Sequence, residues 1–141
     1  MGNQQERLAY LAGIIDGEGW VGLTKMVNKG FRPCITVHMV GRDWIDHLDE
    51  IARASGLPSY CYHMKTSSRW GIYGIKRVKR TIEALDPYLF IKKRQADLLM
   101  EFIDLRLSRP LRSPISIREV QIRAEVMALN TKGKNPQRLY A

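Results

Sequence analysis

The chain has 141 residues, of which 23 are Lys or Arg and 14 are Asp or Glu, so its formal net charge at pH 7 is +9. This length suits one domain with a single core. A hydrophobic share of 45% and a charged share of 26% are typical of a globular protein, and exclude a disordered chain or a membrane bundle. The excess of positive charge favours nucleic acid as a partner over a merely soluble basic protein.

The N-terminal residues and the cysteines indicate an intracellular protein. The start lacks the basic and apolar regions of a signal peptide, and Glu6 stands where a myristoylation signal needs Ser or Thr. The chain has no apolar run approaching the ~18 residues of a spanning helix. Cys34 and Cys61 have no close cysteine neighbours in the sequence, so neither a disulfide scaffold nor structural zinc is expected. We therefore expect a protein that is neither secreted nor bound in a membrane.

The first elements predicted along the chain are a helix and a β-hairpin. Apolar residues at helical spacing predict a helix over residues 5–16, and Asn3 with Glu6 has the spacing of a capping box at its start. Residues 20–28 and 32–40 then predict two antiparallel strands. In the second strand apolar and polar residues alternate, which is the pattern of a sheet covered on one face.

The second half of the chain predicts another hairpin and more helices. In order, these are a short helix capped by Asp43, strands over 59–64 and 68–75, and helices over 76–85, 92–107 and 116–129. Ser116 and Glu119 again have capping-box spacing. The order favours an α+β fold with an αββαββα core, whose four-stranded antiparallel sheet is covered on one face by helices. We assign 1–130 to one domain and expect the basic segment 131–141 to be a flexible tail.

Residues 11–19, LAGIIDGEG, depart in several ways from what is usual for a helix and its C-terminus. Small residues recur at every fourth position, at Ala9, Gly13 and Gly17, and this allows two helix backbones to approach closely. Glycine within a helix costs about 1 kcal/mol relative to alanine. Asp16 and Glu18 lie at the helix C-terminus, where the helix dipole disfavours negative charge. Helix packing and solvated charge each explain one of these features, but their coincidence favours a functional site.

This segment resembles the LAGLIDADG motif of homing endonucleases, with Ile14, Gly17 and Glu18 in place of its second Leu, second Ala and second Asp. The predicted order of elements matches the core of that family, and residues 87–96 resemble its approach to a long helix. The resemblance implies the homing endonuclease fold and a sequence-specific DNA endonuclease of the kind associated with intron or intein mobility. The alternative is that this chain resembles those family members that no longer cleave and act as RNA maturases or DNA-binding regulators.

The resemblance also implies a homodimer. In this family two motif helices pack against each other, and their last acidic residues meet at the centre of the DNA site. This sequence contains one such motif, so two copies of the chain would complete the site and bind a palindromic or nearly palindromic target. The implied helix interface consists of Ala9, Ala12, Gly13 and Gly17.

By the same resemblance, Glu18 is a catalytic residue and a metal ligand, and Gly17 adds its backbone carbonyl. Such oxygen ligands suit Mg²⁺, and Mn²⁺ or Ca²⁺ could occupy the same place. The ion would assist phosphodiester hydrolysis and a double-strand break. Lys92 matches a basic residue near the attacking water, although without the family it would be taken for a solvated lysine. Asp16 is expected to brace the helix end.

One position departs from the family. Some relatives place a Gln at the end of the second strand to position the water, and this chain has Gly41 there. Arg42 or His38 could take over that role; the alternative is that the role is lost, which would affect cleavage but not DNA binding. No histidine is expected to bind metal. Trp20, Trp44 and Trp70 could be stacking platforms, but core packing is favoured for each of them.

The alternation of the strands predicts which side chains face DNA, because a two-stranded ribbon fits the major groove. Val21, Leu23 and Val27 are expected to point inward. The residues expected to contact DNA are Thr24, Met26, Asn28, Arg32, Cys34, Thr36, His38, Tyr62, Met64, Lys65, Arg69 and Tyr73. Lys29 and Lys65 are expected at phosphates, whereas the basic run 76–80 suits phosphates or a solvated face equally. A strand of ~30 Å implies a target of roughly 18–24 base pairs for a dimer.

Overall fold

The computed structural model describes residues 2–27 and 30–134, with side chains up to residue 131. Its helices and strands are α1 (Gln4–Glu18), β1 (Gly19–Lys25), β2 (Phe31–Val40), α2 (Asp43–Ala54), β3 (Tyr60–His63), β4 (Ser67–Tyr73), α3 (Ile75–Leu85), α4 (Lys93–Leu107) and α5 (Ile117–Lys134), and the short 3-10 turn Asp86–Tyr88 precedes α4. The predicted α+β order is confirmed. Asn28, Lys29 and the tail beyond residue 134 lie outside the described residues.

The four strands form one antiparallel sheet in the order β1-β2-β4-β3. Successive side chains of a strand point to opposite faces, so the register sorts the residues into two sets. On one face Ile35, Val37, Trp70 and Ile72 are buried beneath the helices. The other face, which we call the open face, is mainly polar. The predicted sheet with one covered face is therefore confirmed.

The core confirms some of the predicted inward residues and contradicts others. Trp70 is fully buried, as predicted, but Trp44 is 52% exposed and Trp20 lies half-buried on the open face. Val27 was predicted to point inward, and this is wrong because β1 ends at Lys25 and leaves Val27 in the turn. In the described part of the chain, none of the helices could cross a bilayer.

The predicted helix starts are mostly correct. The Asn3 side chain accepts a hydrogen bond from the Glu6 backbone N–H at 2.8 Å. Ser116 and Glu119 form both hydrogen bonds of a capping box. Asp43 was predicted to cap α2, but it is the first residue of that helix and Arg42 holds the cap position. The last helix continues past the predicted end at residue 129 to Lys134.

A buried side chain of α5 covers the edge of the sheet next to α1. Asn130 is 9% exposed, and its amide nitrogen donates to the Val21 carbonyl of β1 at 3.0 Å. An edge strand leaves backbone groups unpaired, so this bond satisfies one of them. Since β1 follows directly on Glu18, α5 helps to fix the strand that leaves the end of α1.

Replacing Asn130 should therefore weaken the fold. Asn130→Ala leaves the buried Val21 carbonyl without its donor, and we expect the free energy of unfolding to fall by about 1–3 kcal/mol in urea titrations. Thr131→Ala, at the exposed neighbouring position, should change it by less than about 0.5 kcal/mol. Equal effects of the two substitutions would contradict this role of Asn130.

Candidate functional site

The exposed surface of α1 is bare along one stripe that ends at Glu18. Ala9, Gly13 and Gly17 are exposed, and a Cβ added at either glycine would meet nothing within 4 Å. Ala12 has no exposed surface, because it belongs to the protomer's own core. Its prediction as an interface residue is therefore wrong, whereas the other three positions are free to approach another helix.

A buried carboxylate holds the end of α1 against the segment that precedes α4. Asp16 is 9% exposed, and its two carboxylate oxygens accept from the backbone N–H groups of Phe90 at 2.9 Å and Lys92 at 2.8 Å. The Lys92 ammonium in turn donates to the Asp16 carbonyl at 2.9 Å. The expectation that Asp16 braces the helix end is confirmed. Lys92 also places a positive charge where the helix dipole is negative.

Glu18 and Lys92 line the same pocket. This pocket has a volume of about 390 Å³, and its polar wall includes Arg94 and the backbone of Gly17. Glu18 is exposed, and its carboxylate has no hydrogen bond or ion pair with the described residues. An exposed carboxylate at the end of a helix, where the last carbonyls have no intrahelical partner, offers oxygen ligands that suit a hard divalent cation. The residues predicted as ligands are thus adjacent, and a cation at Glu18 would offset the charge of the helix end.

Glu18 also borders the open face of the sheet. A second pocket of about 540 Å³ is lined by Glu18, Trp20, Thr24, Lys25, Arg32, Cys34, Thr36, His38, Arg69 and Tyr73, with Gly19. The strand register pairs Thr24 with Arg32, and His38 with Arg69, so these side chains share one face. The structure therefore brings together most of the residues predicted to contact DNA, next to the predicted metal ligand.

Several of these residues are more covered than the sequence suggests. Cys34 is 1% exposed, and burial raises the pKa of its thiol to about 11 despite a hydrogen bond to Thr24 and the nearby charges of Arg32 and Arg69. The thiol is thus neutral at pH 7. Tyr73 is 8% exposed, and its hydroxyl has no hydrogen-bond partner among the described residues. The hydroxyl oxygen is itself buried, so it is an unsatisfied buried polar atom and not a group presented to solvent.

The rings of Trp20 and Tyr73 lie on the open face of the sheet, and we call them its floor. A Cβ at Gly22 or Gly71 would lie 2.6 Å from the ring of Trp20 or Tyr73, so each glycine makes room for a neighbouring ring. Arg32 stacks over the Tyr73 ring at 5.0 Å. Trp20 was assigned to the core because of its residue type. The signal for the open face was the alternation of β1, because Trp20 and Thr24 are both at even-numbered positions and therefore point to the same face.

The remaining predicted residues lie around this floor. Tyr62 is 52% exposed on β3, and Met26 and Met64 are each 41% exposed at the ends of the hairpins. Lys65 is exposed in the turn between β3 and β4. In contrast, the basic run 76–80 lies on α3, which packs on the covered face of the sheet. The solvated-face alternative is therefore favoured for that run.

Gly41 and the two residues that could replace the family's Gln, Arg42 and His38, lie in different parts of the structure. Gly41 is exposed beyond the end of β2 with φ +87°, and it offers no side chain to a site. Arg42 precedes α2 on the surface. His38 lies on β2 in the Glu18 pocket, where its Nε2 accepts a hydrogen bond from Arg69 Nε. Of the two, His38 is the one that borders the same pocket as Glu18.

Comparison with known proteins shows which fold this is. Neither a protein-family model nor a curated protein matches the chain. The homing endonuclease I-CvuI, in complex with the I-CreI target, matches with a TM-score of 0.77 and 22% identity over 89% of this chain and 83% of that chain. The LAGLIDADG homing endonuclease I-GzeII, in complex with a DNA target, matches with a TM-score of 0.62 and 20% identity over 89% of this chain and 44% of that chain.

A third structure, the group I intron-encoded homing endonuclease I-CeuI complexed with DNA, matches with a TM-score of 0.59 and 14% identity over 73% of this chain and 56% of that chain. The chain thus has the fold of the LAGLIDADG homing endonucleases, as the motif at residues 11–19 predicted. It spans most of I-CvuI but less than half of I-GzeII.

The Asp16 brace can be tested without any ligand. Asp16→Asn turns an NH₂ group toward one of the two backbone donors, so we expect the free energy of unfolding to fall by about 1–3 kcal/mol in urea titrations. Glu83→Gln is the matched control, because Glu83 is exposed on α3, and it should cost less than about 0.5 kcal/mol. A stability loss no larger than that of the control would argue against the brace.

Proposed function

We propose that this chain, which has the fold of the LAGLIDADG homing endonucleases, is a sequence-specific, metal-dependent DNA endonuclease that cuts both strands of its target. The main support is the position of Glu18, an exposed carboxylate where the bare stripe of α1 meets the open face of the sheet. DNA on the open face would bring its phosphates to this carboxylate. The net charge of +9 favours such a polyanion.

We propose Glu18 and the Gly17 carbonyl as the metal ligands. These oxygen donors suit Mg²⁺, and structures of the similar I-CvuI with DNA were determined in the presence of Mg or Ca. When bound, the ion would supply activation of water and stabilisation of the leaving oxygen. The ammonium of Lys92, held on the end of α1, offsets the negative charge of the phosphate. We propose His38 as the side chain that takes the place of the missing Gln, because it lies in the same pocket as Glu18.

The active unit would be a homodimer. The exposed small residues of α1 offer a surface on which a second α1 could pack closely, with Glu18 at its end. The chain spans 83% of I-CvuI and 44% of I-GzeII, which fits a chain that supplies one half of a two-motif site. A twofold arrangement gives each DNA strand its own Glu18 and requires a nearly palindromic target.

Target recognition would take place on the open face of the sheet. Arg32 and Arg69 can each donate two hydrogen bonds to guanine in the major groove. Thr36, half-buried on the same face, can add a single hydrogen bond to a base edge. The length of β2 supports a target of roughly 18–24 base pairs for two copies.

Replacing Glu18 should abolish cleavage and keep binding. The probe is a plasmid library with palindromic inserts, whose half-sites of about nine base pairs are randomised around a short variable centre. We expect a Mg²⁺-dependent double-strand break at a small set of inserts. Glu18→Gln should reduce the cleavage rate at least ~100-fold, because several kcal/mol of charge stabilisation are lost. Affinity for the selected DNA should be kept or raised, since a negative charge is removed.

Glu50→Gln, at an exposed position of α2, is the matched control and should cut normally. Cleavage that survives in Glu18→Gln would contradict the assignment of the ligand. Specific binding to DNA or structured RNA without any cutting by the unaltered protein would instead favour the regulator or maturase alternative.

The dimer proposal predicts that bulk on the stripe separates the protomers. Gly13→Leu has room within the protomer, but it would overpack a close helix interface by about 1–3 kcal/mol. The dimer dissociation constant in sedimentation experiments should rise about 5- to 150-fold. Ala124→Leu, a similar enlargement at an exposed position of α5, should leave it unchanged. An unaltered protein that sediments only as a monomer, free and on DNA, would refute the dimer.

A further inference from the structure

Three potential metal ligands meet where α2 packs against the edge strand β3. Asp46 Oδ1 lies 2.8 Å from His63 Nε2, and Cys61 Sγ lies 3.7 Å from Asp46 Oδ1 and 3.9 Å from His63 Nε2. The register pairs Cys61 with Trp70 and His63 with Ser68, so both side chains belong to the covered face of the sheet. This cluster is therefore on the other side of the sheet from the open face and its Glu18 pocket.

The spacing of these atoms fits a tetrahedral ion. With zinc bonds of about 2.3 Å to sulfur and about 2.0–2.2 Å to nitrogen and oxygen, neighbouring ligand atoms lie about 3.3–3.6 Å apart. The two sulfur distances exceed this range by a few tenths of an ångström, and the Asp46–His63 distance is about half an ångström shorter. These deviations are small, and we expect side-chain rotations to bring all three atoms to one ion.

His63 is already oriented to use Nε2 as a ligand. Its Nδ1 lies 2.8 Å from the hydroxyl of Ser68, which is fully buried. Histidine ligands commonly have their second nitrogen fixed by such a hydrogen bond. The Asp46 side chain is 56% exposed and that of His63 is 25% exposed, so an ion can enter from solvent and a water can occupy its fourth position.

The same geometry excludes a catalytic relay. In a Cys–His–Asp relay the thiol and the carboxylate contact different ring nitrogens. Here both face Nε2, and the group at Nδ1 is the hydroxyl of buried Ser68, which no substrate can reach. The arrangement converges on one point, as metal ligands do.

We propose that Asp46, Cys61 and His63 bind Zn²⁺ and thereby fasten β3 to α2. A set of one sulfur, one nitrogen and one oxygen donor suits zinc better than Mg²⁺ or Ca²⁺. β3 is a short edge strand of four residues, and it carries Tyr60 and Tyr62. Fastening this edge would hold both aromatic side chains in place on the open face of the sheet.

Co²⁺ provides the most direct test, because a bound thiolate gives a charge-transfer absorption in the near ultraviolet. We expect one Co²⁺ per chain to give this band together with tetrahedral bands in the visible, and Zn²⁺ to displace that ion. Cys61→Ser should remove the charge-transfer band, and His63→Gln should weaken binding at least ~100-fold. Ser68→Ala should weaken it about 10- to 100-fold.

Matched controls separate this site from other thiols, histidines and carboxylates. Cys34→Ser, His47→Gln and Glu18→Gln should each keep the spectrum, and Glu18→Gln does so whether or not the protein is a nuclease. Zn²⁺ at about 100 times its dissociation constant should raise the Tm of the unaltered protein by about 5–10 °C, and that of Cys61→Ser by much less. A missing charge-transfer band in the unaltered protein, or one that persists in Cys61→Ser, would overturn the proposal.

Discussion

The arrangement of the site depends on the hydrogen bonds between Asp16 and the chain around Phe90 and Lys92. Three bonds of 2.8–2.9 Å join residues that are more than 70 positions apart in the sequence. They place the Lys92 ammonium beside the C-terminus of α1, where Glu18 and the helix dipole concentrate negative charge. Without this connection the acidic residue and the basic residue of the candidate active site would belong to separate parts of the molecule.

The sheet gives the molecule its two different sides. Alternation along each strand assigns every second residue to the core and the others to the open face, and the antiparallel register aligns these sets across the strands. Glycines at positions 22 and 71 leave the space that the rings of Trp20 and Tyr73 occupy. The result is a broad basic and aromatic face that ends at Glu18.

Local patterns in the sequence predicted much of this fold, because they depend on neighbouring residues. The caps at Asn3 and Ser116 and the alternation of β2 are of this kind. Val27 was misplaced because the alternation was carried past the end of β1, whereas other errors arose where residue type was given more weight than position. Ala12 is three residues from Ile15 and four from Leu8, so helical periodicity already placed it in the core. Trp44 is likewise one position away from the buried Ile45.

Other features have no local signal. The Asp16 brace and the bond from Asn130 to Val21 join distant segments, and their partners emerge only from the packing of helices on the sheet. The cluster of Asp46, Cys61 and His63 has the same origin. Cys61 and His63 share a face of β3 by alternation, but the carboxylate comes from α2, so the spacing of a known zinc motif is missing.

A crystal structure of the protein on its selected DNA with Mn²⁺ would test the central claim most directly, because manganese is located by its anomalous scattering. The account predicts two copies related by a twofold axis, with manganese between the Glu18 carboxylates and the central phosphates. Glu18 carboxylates that lie apart from each other, or manganese bound elsewhere on the DNA interface, would contradict it.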